Sequence, residues 1–112
     1  MLIDIEAIKP VLYNKFGGLS GACIKPIALK LIYQTFSEVS IPIIGMGGVT
    51  SGEDAVEMLM AGASIVGIGT AVYERGIEVF NKVNKEISTF MVEHGFCCIN
   101  DIPRLEKLKP GA

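Results

Sequence analysis

The chain has 112 residues, 50% hydrophobic and 20% charged, with a formal net charge of −2. This is a globular composition with enough material for one small domain and a core, and it excludes a disordered chain. Acids and bases are interspersed, without the clustered basic stripe of a nucleic-acid surface, and no apolar run approaches the roughly 20 residues that cross a bilayer.

The opening residues MLIDIEAIKP hold acids inside their apolar segment and no basic stretch, which is not the pattern of a secretory signal. Residues 2–5 and 11–13, LIDI and VLY, flank a polar stretch ending in Lys9-Pro10 and predict a short hairpin. NKFGGLSG, residues 14–21, is a loop by its glycines. From Ile24 the apolar residues fall at Ile24, Ile27, Ala28, Leu31, Ile32 and Phe36, the spacing of one helix face. Pro26 suits the first turn of that helix, where its missing N–H costs nothing.

IPIIGM, residues 41–46, is a β-branched run that alternates with nothing polar, the pattern of a parallel strand buried on both faces. Thr50-Ser51-Gly52-Glu53-Asp54 then carries helix-start chemistry: Thr50 as hydroxyl cap, acids in the first turn, and Glu53 three residues after Thr50. The helix DAVEMLMAG stops at Gly62, and a second buried strand, SIVGIG, follows at residues 64–69. A longer helix is predicted from Ile77 to His94, with Ile77, Phe80, Val83, Ile87 and Met91 on one side and Gly95 closing it. The tail from Asp101 is expected to form a short amphipathic helix. Helices alternating with short buried strands mark an α/β fold with a parallel sheet.

The three cysteines, Cys23, Cys97 and Cys98, form no metal-ligand spacing, and free thiols in a reducing cytosol are expected. The single histidine, His94, is expected to be a solvated residue at a helix end.

The two strands resemble each other. IIGMGGV and IVGIGTA, 22 positions apart, each end in Gly-x-Gly plus a small residue. A phosphate needs donors that approach closely and a site that tolerates negative charge; backbone N–H groups at strand ends and helix N-termini supply both, and glycine removes the side chain in between. Gly47-Gly48 and Gly69-Thr70 stand at the carboxyl ends of the two strands, with Thr70 adding a hydroxyl. Adjacent parallel strands 7 and 8 of a (β/α) barrel commonly hold a phosphate there. The competing reading is that the glycines only make tight βα turns and let helices pack closely.

Residues 14–34, NKFGGLSGACIKPIALKLIYQ, followed by IPIIGMGGVTSGEDAVEMLMAGASIVGIGTAVY, resemble the C-terminal part of dihydroorotate dehydrogenase. The most specific motif is GGLSG-x-x-IKP-x-AL, and the likeness is greatest to class 1 enzymes of the NAD-linked type 1B and their archaeal relatives. The resemblance runs from Met1 to about residue 100. It implies the C-terminal part of a TIM (β/α)8 barrel, with about two parallel strands and their helices, as one partial FMN-binding domain over residues 1–112. It also implies FMN-dependent oxidation of dihydroorotate to orotate in pyrimidine synthesis, in the cytoplasm. Carried over by motif, Gly21 contacts the flavin nucleotide, and Gly47, Gly48, Gly69 and Thr70 bind its phosphate. Lys25 faces solvent or holds a carboxylate near the helix start.

The family's LSGPAIKP is LSGACIKP here. Ala22 in place of proline lowers loop stiffness, and Cys23 in place of alanine is expected to be a small buried residue. The family's base, a cysteine of an earlier loop, has no counterpart in these residues. No catalytic residue is therefore assigned, and the isolated chain is expected to be inactive. Dihydroorotate is a ligand of the complete enzyme only, and an iron–sulfur/FAD electron-transfer subunit is an implied partner. Two strands left open would expose apolar edges, so self-association into a homo-oligomer is expected. The alternatives are another phosphate-binding barrel enzyme, such as a phosphosugar isomerase or synthase, and a non-catalytic self-associating half-barrel.

Overall fold

The computed structural model describes residues 1–109. A hairpin opens the chain, with β1 (Ile3–Asp4) antiparallel to β2 (Lys9–Pro10). The return strand starts earlier than the expected 11–13. The Asp4 carboxylate accepts from the amides of Glu6 and Ala7 and tightens the turn, and Ile8 completes it at φ 51°.

A loop and one 3₁₀ turn (Ala22–Ile24) lead into α1 (Lys25–Glu38), with Pro26 in the first turn as predicted. Its inward face is narrower than the sequence spacing implied. Ile32 is buried and Ala28 packs beside it, whereas Ile27 and Leu31 are exposed.

The sheet proper has two parallel strands, β3 (Ile44–Met46) and β4 (Ile65–Gly67), with Gly45 opposite Val66. Both are shorter than predicted. Pro42 donates nothing to the ladder, so pairing is extended backwards only through the Ile43 carbonyl, which accepts from the Ser64 and Ile65 amides. The ladder offset between the strands is 21 positions and the repeat offset 22, a stagger of one residue. One residue per strand is the average stagger of an eight-stranded barrel of shear 8.

Neither strand is buried on both faces in this chain. Gly45 faces the helices against Ile32, Met58 and Ala63, while Ile44, Met46 and Ile65 on the opposite face are 66%, 60% and 63% exposed. The helix-covered face carries the core. Met58 and Val79 are its largest fully buried side chains, each stabilising by about 1.5–3 kcal/mol. The Cα radius of gyration, 17.2 Å, exceeds the roughly 13 Å of a closed domain of this length, as an open layer requires.

α2 (Gly52–Met60) starts one residue later than expected. Ser51, not Thr50, is the cap, and Asp54, not Glu53, closes the capping box. The Thr50 hydroxyl donates to Asp54 instead, at 2.8 Å. Gly62, at φ 115°, turns the chain back beneath the Phe36 ring, where a side chain would collide.

Between β4 and the long helix lies a short helix that the periodicity did not reveal, α3 (Ala71–Arg75). Gly76, at φ 74°, ends it, so α4 (Val79–His94) begins two residues after Ile77. Ile77 is exposed and Val79 takes the buried place in its stead; Val83 is buried as predicted, and Ile87 and Met91 pack at the core's edge. Gly95, at φ 72°, closes α4. His94 is exposed, stacked on Phe90 at 4.1 Å.

The tail forms one 3₁₀ turn (Ile99–Asp101) and then runs extended, not as a helix. Pro103 follows at once, and the strap is held by Leu105 N–H to the Met60 carbonyl and by Tyr33 O–H to the Glu106 carbonyl. The last three residues of that predicted helix lie outside the described residues.

Candidate functional site

Gly21, Gly47, Gly48, Gly69 and Thr70 line one cleft of about 140 Å³ at the carboxyl ends of β3 and β4. The fold brings them together from three segments. The GGLSG loop reaches the end of β4, where a Cβ built on Gly21 would touch the Thr70 methyl at 3.6 Å. A wider depression of about 570 Å³ beside the tail, lined by Leu59 and Ile99 among others, shares none of these residues.

The glycines serve two distinct purposes. Gly47 and Gly48 have φ of 129° and 75°, which L side chains rarely adopt. A Cβ on Gly47 would strike Ala28 at 2.7 Å, and one on Gly48 would strike the Lys25 backbone nitrogen at 2.8 Å. Both glycines are therefore required by the close approach of α1. Gly69 is different: a Cβ there would meet no atom within 4 Å. Of the cleft glycines, Gly69 alone has a missing side chain that neither packing nor a positive φ explains.

Donor accounting locates the unspent hydrogen-bonding capacity. The start of α2 has little: Thr50 and Ser51 N–H donate to Asp54 Oδ2 at 2.9 and 3.0 Å, and Gly52 N–H donates to Glu86 Oε2 at 2.5 Å. Protein carboxylates thus occupy the N-terminus of α2. Among the described residues, by contrast, the amides of Gly48, Val49, Gly69 and Thr70 donate to no protein acceptor outside the strand ladder. Thr70 stands at the cap position of α3 without using its hydroxyl. Gly48, Val49 and Thr70 are buried or half-buried, where amides are almost always paired, whereas Gly69 is exposed; unpaired amides on residues that line one cleft suit an oxyanion.

Among the described residues no basic side chain lines the cleft, and the nearby Lys25 and Arg75 are paired with carboxylates. Lys25 holds carboxylates, as one of the two sequence readings had it, with Nζ 2.6 Å from Asp54 and 2.8 Å from Glu57. The hydrogen bonds it donates to Asp54 and then Glu57 push the pKa of its ammonium up to about 12. Burial pulls the Asp54 carboxyl upward, but hydrogen bonds from Lys25, Thr50 and Ser51 outweigh it and hold the group far below the usual carboxylate range. Arg75 donates to the Thr50 carbonyl and to Glu86, both at 2.6 Å.

Cys23 is exposed, not buried, its thiol directed to the Ser20 carbonyl at 3.6 Å; the 3₁₀ turn before α1 carries it on the outside. No side chain lining the cleft is an acid, a base or a thiol. The sequence reading missed the Asp54 hub and the Arg75–Glu86 pair. A Ser-x-x-Asp capping pattern at Ser51 and Asp54 was present for the first; the second is long-range and left no local signal.

Strand ends meeting at glycine turns, one-residue stagger and helices on one face define part of a (β/α) barrel. Residues 1–91 match the family model of dihydroorotate dehydrogenase. The chain is 53% identical over 100 residues to the dihydroorotate dehydrogenase B (NAD(+)) catalytic subunit of Pyrococcus furiosus, covering 89% of this chain and 33% of that protein. It is 55% identical over 93 residues to the subunit of the same name from Methanocaldococcus jannaschii, covering 83% of this chain and 30% of that protein. The ligand-free dihydroorotate dehydrogenase of Eimeria tenella superposes with a TM-score of 0.74 at 28% identity, over 88% of this chain and 28% of that one. The chain belongs to the dihydroorotate dehydrogenase family, and it spans about a third of the length of the curated relatives it matches.

Proposed function

We propose that this chain is the FMN phosphate-binding part of an oxidoreductase that converts dihydroorotate to orotate in pyrimidine synthesis. The observation that carries this reading is that Gly48, Gly69 and Thr70, whose amides have no protein acceptor among the described residues, line one cleft together with the unused Thr70 hydroxyl. Gly47 and Gly48 present one strand end to the phosphate, Gly69 and Thr70 present the other, and Gly21 lies against the nucleotide. Bound there, the flavin supplies two-electron redox chemistry; these residues bind and orient it. The absence of any base among the residues lining the cleft supports a chain that is inactive by itself.

The open face of β3 and β4 supports association with further protein, a second copy included, in the cytoplasm. The family likeness to NAD-linked catalytic subunits supports an iron–sulfur/FAD subunit as partner of the whole enzyme. Flavin fluorescence quenching on titration with the purified chain tests the cofactor reading, with riboflavin as the phosphate-free control. FMN binding without riboflavin binding supports it; equal binding of both, or of neither, contradicts it.

A further inference from the structure

Arg75 lies at the end of α3, which directly follows the Gly69-Thr70 turn, yet its guanidinium reaches the other turn. Nη1 donates to the Thr50 carbonyl at 2.6 Å, two residues beyond Gly48. Nη2 donates to Glu86 Oε1 at 2.6 Å, and the second oxygen of Glu86 accepts from Gly52 N–H at 2.5 Å. One guanidinium–carboxylate unit therefore ties three pieces together: the turn after β3, the helix after β4, and α4. Gly52 is packed against Glu86 so closely that a Cβ there would collide with it.

Among the described residues the glycine turns share no other charged link. The Lys25–Asp54 pair joins the start of α1 to the start of α2 and touches nothing after β4. A phosphate gripped from both strand ends needs their separation fixed to well within an ångström, since hydrogen bonds weaken steeply with distance and angle.

We propose that Arg75 and Glu86 form a clamp that sets the spacing of the two glycine turns, making Arg75 a positioning residue for phosphate binding. This rests on the FMN reading above. The planar fork of arginine suits the role, because it serves the Thr50 carbonyl and Glu86 from one rigid group. Lysine, with its donors on a single nitrogen, would lack the fixed two-nitrogen spacing that spans both partners. Arg75 itself stays outside the cleft and is spent on protein acceptors, so its removal acts on geometry and not on ligand charge.

Two readouts test the clamp in the 112-residue chain. The first is FMN affinity of the wild type, Arg75→Gln and Arg75→Lys. Arg75→Gln is expected to weaken FMN by about tenfold or more, with Arg75→Lys recovering part of the loss; a merely structural role would instead scale with the fall in unfolding midpoint. The second is ligand-free ¹⁵N backbone relaxation. Arg75→Gln is expected to lower the order parameters of residues 47–51 and of residues 68–71 together, leaving α1 unchanged. Lower order parameters confined to α3 and α4, or FMN affinity unchanged in Arg75→Gln, overturns the clamp. A wild-type chain that binds no FMN sinks the phosphate reading instead. The relaxation arm then still decides: coupled loosening of both turns upholds the mechanical link, and loosening of one turn alone refutes it.

Discussion

The Lys25 ammonium and the Asp54 carboxylate, 2.6 Å apart and 29 positions apart in sequence, join the first turn of α1 to the first turn of α2. Asp54 also accepts from the Thr50 amide, the Thr50 hydroxyl and the Ser51 amide. One carboxylate thereby shapes the loop that carries Gly47 and Gly48, and the helix start becomes unavailable to an outside anion.

Asp54 should dominate the acid stability of the chain. Its folded pKa is depressed below the ordinary 3.8, so its contribution is present above that value and fades as pH falls below it. The Lys25 partner is raised, so its contribution is complete below 10.5 and lost only as pH climbs through about 12. Asp54→Asn is expected to cost about 2 kcal/mol near neutrality, combining a lost cap and a lost charge-assisted bond. Denaturant melts by circular dichroism from pH 7 to pH 2 would show it. The variant's stability should vary less with pH below about 4, and parallel pH profiles would contradict the assignment.

Glycine substitutions separate packing from binding. Gly48→Ala places a methyl against the Lys25 backbone at positive φ, so it should destabilise by about 1–3 kcal/mol. Gly69→Ala meets no atom within 4 Å and should leave the melting temperature unchanged while weakening FMN by about tenfold, about 1.4 kcal/mol. Thermal melts and FMN titrations of the two variants suffice. Retained FMN affinity in Gly69→Ala would remove the end of β4 from the site.

The exposed row Ile44, Met46 and Ile65 predicts self-association, because an open apolar sheet face with unpaired edges recruits further protein. Light scattering coupled to gel filtration should give a mass above the 12.0 kDa of one chain. Ile44→Lys or Ile65→Lys should return it to the monomer without loss of helix content, since both positions are solvent-facing in the single chain. A monomeric wild type at high concentration would contradict this.

Much of the architecture was legible in local chemistry. Two β-branched runs ending in Gly-x-Gly plus a small residue announced β3 and β4, Pro26 marked the start of α1, and Gly62 and Gly95 marked the ends of α2 and α4. What escaped was decided by non-local partners. Ile27 and Leu31 fit a helix face by spacing, but they are exposed because α1 meets the sheet along a narrower stripe through Ala28 and Ile32. α3 is too short for any apolar period, and Gly76 cuts it from α4. The five residues that share the cleft were legible, Gly47, Gly48, Gly69 and Thr70 by position at strand ends and Gly21 by its motif, whereas the network behind them was not. Asp54 to Lys25 and Arg75 to Thr50 are pairings across elements, which no spacing rule foretells.

The central claim is that particular backbone amides grip the cofactor's phosphate. A ¹⁵N-labelled chain titrated with FMN, with riboflavin as control, addresses it residue by residue. The account predicts that the Gly48, Gly69 and Thr70 amide protons move strongly downfield with FMN and stay in place with riboflavin, as charge-assisted hydrogen bonds form. Unmoved resonances at those three residues, with FMN bound elsewhere or not at all, would contradict it.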